Sequence, residues 1–271
     1  MTSPGCSTSC GPPAGPSPPA PSPLAFADHF SERAPDYARA RPGYPAELFE
    51  ALAGSAPGHG LAWDAGTGNG QAAVGLARHF ARVVATDASA AQIAAATPHP
   101  AVEYRVAEAR EIDLGPGSVD LVTVAQAAHW LDLPGFYATA ERVLRPGGVL
   151  ALWCYNLPRV TPGVDATLDW FYREVVGPWW PAERRGVETG YRELPFPFPE
   201  RPFPVVAMRG DWDRAALLDY VGTWSAVARY REARRTDPLP LLADALAAQW
   251  PDGARPRPVR WPLEGRLGHR P

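Results

Sequence analysis

The chain has 271 residues, a formal net charge of −3 and 46% hydrophobic residues. That length suits one large domain, or one domain with an appendage. The small negative charge gives no global attraction to nucleic acid or to an anionic membrane, and no run reaches the roughly 18 apolar residues of a membrane span. Three scattered cysteines, Cys6, Cys10 and Cys154, form no disulfide framework, so a reducing, cytoplasmic setting is expected.

Residues 1–24 hold eight prolines and no charged residue. They lack the basic start and apolar run of a secretory signal and are predicted to be a disordered Pro/Ser/Gly-rich tail. Cys6 and Cys10 are half of a possible metal site, but no nearby histidine or cysteine completes four ligands, so no metal is expected. Residues 25–58 are assigned to amino-terminal lid helices. From Gly60 the chain alternates short apolar runs with helical patterns. "LAWDAG" is a strand running into a glycine turn, and "GQAAVGLARHF" (70–80) is a helix leaving it. "RVVATD" (82–87) and "SAAQIAAAT" (89–97, capped by Ser89) repeat the unit. "VEYRVA" (102–107) and "VDLVTVAQ" (119–126) are the third and fourth strands. "PGFYATAERVL" (134–144) is a helix, and "RPGG" turns into a fifth strand, "VLALWCYN".

Apolar strands separated by helices predict an α/β fold: a doubly wound, mostly parallel, Rossmann-like sheet covered on both faces. The cofactor-binding core is placed at 59–156. Residues 157–204, rich in Pro and Trp with little regular period, are read as an inserted helical or irregular cap. Residues 205–271 complete the domain with a strand at "VVAMRGDWD", helical segments over 214–232 and 239–250, and a last strand at 257–267.

"WDAGTGNG" (63–70) places three glycines in five positions. Glycine admits backbone angles and close approaches that a Cβ blocks, and the amino end of the following helix offers free N–H groups to a ligand. The bland reading is a tight turn with packing glycines. Asp87 ends the next strand, where a carboxylate can accept from both ribose hydroxyls. The dinucleotide fingerprint G-x-G-x-x-G fails, because Gln71 stands where its third glycine belongs. Asp64, two positions before the first glycine, suits a ligand with a positive charge and an amino group better than a pyrophosphate.

The pattern D-x-G-x-G-x-G resembles motif I of the class I S-adenosylmethionine-dependent methyltransferases. That resemblance implies S-adenosylmethionine as cofactor and a transferase of EC class 2.1.1. Asp64 would support the methionine amino end, directly or through water, with Gly66, Gly68 and Gly70 in the cofactor loop. Asp87 would take the ribose, and Ala107 and Glu108 in "VAEA" would edge the adenine. Gln126, the last residue of the fourth strand as read, joins the cofactor set. "FSERAPDYARARPGYP" (30–45), "HW" (129–130) and "TWSAVARY" (223–230) are similar to a small-molecule branch that includes trans-aconitate methyltransferase-like proteins.

Methyl transfer is an in-line displacement that a dry, aligned pocket accelerates. The expected acceptor is a small molecule, with a carboxylate or a hydroxyl as the acceptor classes. A carboxylate is already ionised at neutral pH, whereas an alcohol needs proton removal. His129 is the candidate base or substrate-orienting residue, with a structural role as the other reading. Trp130 and Trp224 are candidate substrate walls. Tyr37 and Arg41, one helical turn apart, are candidate cofactor contacts in the lid; Arg41 would meet the methionine carboxylate or an acidic substrate, unless it lies on a solvated face. The arginine pairs 184–185 and 234–235 read as solvated. The alternative from another class is a catalytically inert cofactor-binding protein with a regulatory or partner role. No nucleic acid partner and no membrane association are expected.

Overall fold

In the computed structural model residues 42–271 are described. The expected tail, and the lid residues Tyr37 and Arg41, lie outside the described residues. The chain enters through helix α1 (Ala46–Ser55), whose Leu48, Phe49 and Leu52 are buried. Strand β1 (Leu61–Ala65), helix α2 (Gln71–Leu76) and strand β2 (Arg82–Asp87) then form the first βαβ unit. Helix α3 (Ala90–Ala94) and strands β3 (Val102–Val106) and β4 (Val119–Ala125) follow. Helix α4 (Leu133–Val143) leads into β5 (Leu144–Tyr155).

The next segment holds α5 (Pro162–Trp170), a π-helical turn at Phe171–Val175, two short 3₁₀ turns and α6 (Arg185–Glu188). Strands β6 (Glu200–Arg201) and β7 (Ala207–Trp212) precede helices α7 (Arg214–Gly222), α8 (Ser225–Arg234) and α9 (Leu239–Gln249). The long strand β8 (Arg257–His269) completes the order.

The sheet runs β3-β2-β1-β4-β5-β8-β6, with β7 paired to β8. The first five strands are mutually parallel and β8 is antiparallel to β5, so the doubly wound, mostly parallel expectation holds. Alternation along each strand divides the core between two faces. Ala62, Val83, Leu121 and Trp153 pack on the α1–α2 side; Trp63, Val84, Val122 and Leu152 pack on the α4 side. The turn predicted at "RPGG" lies within β5. Partners shift from Val119–Leu144 to Leu121–Val149, and Gly147, at φ +73°, absorbs the extra length.

Helix α2 is shorter than predicted. Gly75 lets the Phe49 ring of α1 press against the helix backbone, and Arg78 and His79 wind tighter, donating to Gly75 and Leu76. The 214–232 segment is two helices, because Trp224 is extended, at ψ 138°, and the Thr223 hydroxyl donates to the Tyr220 carbonyl. Residues 157–204, read as nearly aperiodic, contain α5. Its Val164 and Leu168 are fully buried, and its neighbours in the fold include α9.

Candidate active site

The carboxyl ends of β1, β2 and β4 converge on the glycine turn. Gly66, Gly68 and Gly70 all have positive φ, at 65°, 56° and 87°. The three serve different purposes. A Cβ on Gly66 would lie 2.7 Å from Cβ of Ala127, in the loop after β4. One on Gly70 would collide with the Tyr104 ring. Beside Gly68 the nearest atom is Oε1 of Gln92, 3.8 Å away, so this is the glycine with open space before it. A ligand can approach the backbone there, and the cradle fits the cofactor that the sequence pattern implies.

Two carboxylates hold the turn. Asp87 accepts from the Gly68 N–H at 2.9 Å through one oxygen and from the Ser89 N–H at 2.9 Å through the other. It is half-buried, at the carboxyl end of β2. Asp64 is fully buried. Its oxygens accept from the hydroxyls of Thr67 at 2.6 Å and Thr123 at 2.7 Å. Burial pushes its carboxyl up to about 6, against the pull of those hydroxyls. Asp64 therefore braces the turn from below, a role the motif alone did not assign to it.

Beyond β3, the Ala107 N–H donates to the Asp87 carbonyl at 3.0 Å, which fixes that corner against the carboxylate. The Glu108 side chain is exposed and paired with Arg110 at 2.7 Å. Gln126 sits at φ +57°, a costly angle for a residue with a Cβ. Its side-chain amide donates to the Tyr155 carbonyl at 3.0 Å and accepts from the Tyr155 N–H at 2.9 Å. The side-chain amide is thus engaged with β5 and holds the β4 loop in its strained turn.

His129 lies on a 3₁₀ turn, Ala128–Trp130, with the Trp130 ring 4.8 Å from its own. The Tyr191 hydroxyl stands 2.9 Å from Nδ1 of His129. Tyr191 is fully buried at φ +62°. Burial raises its phenol well above 10, while the Ala128 backbone donates to its oxygen. With the Ala128 N–H already on the phenol oxygen, the contact favours a phenol proton donated to Nδ1 and an imidazole proton on Nε2. Burial, with the nearby Arg184 charge second, lowers His129 to about 3. A neutral ring with Nδ1 occupied is poorly matched to general-base work near pH 7. This arrangement favours the substrate-orienting reading of His129 over the base reading, with Nε2–H as the donor it offers.

Trp224 is buried among Phe171, Tyr172, Trp180 and Tyr220, with the Trp180 centroid 5.6 Å away. Its ring belongs to the buried core that joins the 157–204 segment to α7 and α8. Arg184, read from sequence as solvated, is half-buried: its Nη2 donates to Oδ1 of Asn156 at 2.8 Å and its Nε to the Tyr172 hydroxyl at 3.1 Å. Arg185 is exposed, as read. Thr67, Thr123 and the partners of Arg184 are what sequence reasoning missed; Tyr191, read among the pocket aromatics, was not foreseen as the partner of His129. Thr123 alone left a local signal, a hydroxyl within the apolar run that follows Asp120 in β4. Among the described residues no cluster of three or more His, Cys, Asp or Glu is placed to hold a metal. No described helix is long and apolar enough to cross a membrane.

A doubly wound sheet whose first β–α turn is a glycine cradle, tied to an acidic residue at the end of β2, defines an α/β protein built for a nucleoside-bearing ligand. Residues 63–152 match the family model described as a methyltransferase domain. A Dictyostelium discoideum protein named as a methyltransferase is 35% identical over 232 residues, covering 84% of this chain and 88% of that one. A structure described as a type II methyltransferase of Anaeromyxobacter dehalogenans is 48% identical, with a TM-score of 0.81 over 84% of this chain and 97% of the other. A methyltransferase of Pestalotiopsis fici is 30% identical over 159 residues, 51% of this chain and 47% of that protein. The chain belongs to the class I S-adenosylmethionine-dependent methyltransferases, enzymes of class EC 2.1.1 that take S-adenosylmethionine as methyl donor.

Proposed function

We propose that the protein methylates a small-molecule acceptor, bound between the β4 loop and the cap. The observation that carries this is the glycine turn, with Gly68 facing open space and its N–H held by Asp87. When bound, the cofactor supplies an electrophilic methyl group on a sulfonium. Gly66 and Gly68 line it, and Gly70 keeps the loop closed over Tyr104. Asp87 takes the ribose hydroxyls, and the backbone at Ala107 and Glu108 edges the adenine. Asp64, braced by both threonines, presents negative charge beneath the amino end. The turn held by Gln126 brings Ala127 against Gly66, so the acceptor side and the cofactor side share a wall.

His129 orients the acceptor through its Nε2–H and takes no proton. Trp130 lines the same loop, and the cap aromatics around Trp224 exclude water from the transfer. A branch similar to trans-aconitate methyltransferase-like proteins is the finer assignment, supported by the His129–Trp130 pair and the 223–230 segment. A cytoplasmic setting is part of the same reading.

Calorimetry with S-adenosylmethionine, its demethylated product and NAD tests the cofactor site: the first two bind, and NAD does not compete at comparable concentration. Incubation with labelled S-adenosylmethionine and a metabolite extract, followed by mass spectrometry, yields a labelled small molecule. Tight NAD binding overturns the cofactor reading. Cofactor binding with no labelled product from any extract favours the inert binder.

A further inference from the structure

We infer that Arg184 is the centre of an oxyanion-binding site, and that the acceptor carries a carboxylate or a phosphate which this guanidinium holds. The inference rests on the small-molecule methyltransferase reading and names the chemistry of that acceptor. Arg184 is built into place. Its Nε and Nη2 donate to the Tyr172 hydroxyl and to Oδ1 of Asn156, and its Cζ lies 4.6 Å over the Trp180 ring. The Tyr172 hydroxyl gives its own proton to Glu188 at 2.7 Å, which turns its oxygen toward Arg184.

Tyr172 stands on the π-helical turn Phe171–Val175, and such turns are concentrated at functional sites. Both acceptors of Arg184 are neutral, and among the described residues no carboxylate lies within ion-pair reach of it. A guanidinium has five N–H donors, so three remain. They form the planar fork that suits carboxylate and phosphate oxygens.

The surroundings fit an anion. Arg184 lines a cleft of about 370 Å³ with Tyr172, Arg173, Trp180, Arg185 and Glu188. Three arginines face one carboxylate there; Arg185 is engaged by Glu193 at 3.1 Å, and Arg184 keeps its charge. Through Asn156, the residue after β5, Arg184 also reaches the carboxyl ends of the strands. Its 3₁₀ turn, Ala182–Arg184, packs against the turn that bears His129. Arg184 is therefore the point where the cap cleft and the sheet site meet. Guanidinium contact lowers the nucleophilicity of an oxyanion, so the anion anchors the acceptor while another atom receives the methyl group.

The test is calorimetric titration at low ionic strength with benzoate, citrate and inorganic phosphate, and with benzamide as the uncharged control. S-Adenosylhomocysteine binding is measured on the same preparations. Wild type binds a carboxylate or phosphate saturably and does not bind benzamide. Affinity falls at least tenfold in Arg184→Gln and at least threefold in Arg184→Lys, which keeps the charge and loses the fork. Arg192→Gln, at an exposed arginine paired with Glu264, leaves it unchanged. Melting curves check that the variants fold, and Arg184→Lys decides if Arg184→Gln does not. Preference for benzoate or citrate assigns a carboxylate-bearing acceptor, and preference for phosphate a phosphorylated one. No oxyanion binding to wild type, or equal binding to a folded Arg184 variant, overturns the inference. Arg184-dependent anion binding without S-adenosylhomocysteine binding sinks the methyltransferase reading and leaves the anion site standing.

Discussion

Replacing Asp64 with asparagine removes a buried charge while keeping its shape, and the structure sets the size of the effect. Burial moves this carboxyl from 3.8 to about 6. At 1.36 kcal/mol per pH unit, holding it ionised in the folded protein costs about 3 kcal/mol near pH 7.5. The folded state then binds more protons than the unfolded chain. The group's contribution is most favourable below 3.8 and is lost as pH rises through about 6. By pH 5 about half of the cost, roughly 1.5 kcal/mol, has been recovered. Asp64→Asn has no such dependence. The stability difference between variant and wild type should therefore shift in the variant's favour by about 1.5 kcal/mol from pH 5 to pH 7.5. Urea unfolding at both pH values measures it, and comparison with wild type cancels the other carboxylates. The same variant should bind S-adenosylmethionine more weakly, because the charge beneath its amino end is gone. A pH-independent difference would refute the buried, raised carboxyl.

Asp87→Ala leaves the N–H groups of Gly68 and Ser89 without their acceptor and removes the ribose partner. Cofactor affinity should fall by about 1–3 kcal/mol in calorimetry; unchanged affinity removes the ribose assignment. Tyr191→Phe takes the donor from Nδ1 of His129 and the acceptor from the Ala128 N–H, so stability should fall by about 1–3 kcal/mol. Nitrogen NMR of the imidazole should show the Nε2–H tautomer in wild type and a mixture of tautomers in the variant. A wild-type His129 that titrates between pH 6 and 7 would instead restore it as a base.

The sheet was legible because most strands are short apolar runs and most parallel crossovers carry a helical pattern. Strand β3, with Glu103 and Arg105, and its helix-free link to β4 are the exceptions. The glycine turn was legible because three glycines and an acidic residue are local in sequence. What escaped was made by distance along the chain. Asp64 meets Thr123 across two strands 59 residues apart. Arg184 sits in "PAERRG", a stretch that reads as a wet turn. Its environment comes from Asn156 and Tyr172, 28 and 12 residues upstream. Gln126 looked like a ligand contact because it follows β4; its amide partner Tyr155 was 29 residues away. Helix α5 was hidden because its apolar face is short and bordered by prolines and tryptophans.

The pairing of β5 with β8 has a kinetic consequence. Val149 to Tyr155 is an apolar, fully or nearly buried run whose outer edge is covered by Leu263 to His269. Those partners arrive about a hundred residues later, after the whole cap. Contacts so far apart in sequence close slowly, and until they do the edge of "VLALWCY" is open to any other strand. Strand β8 itself also receives β6 and β7, so one late event seals the sheet edge and docks two flanking strands together. A chain stalled before that event presents its most aggregation-prone surface. Substitutions that weaken β8 should therefore lower the recovery of native protein on refolding more than they lower its equilibrium stability.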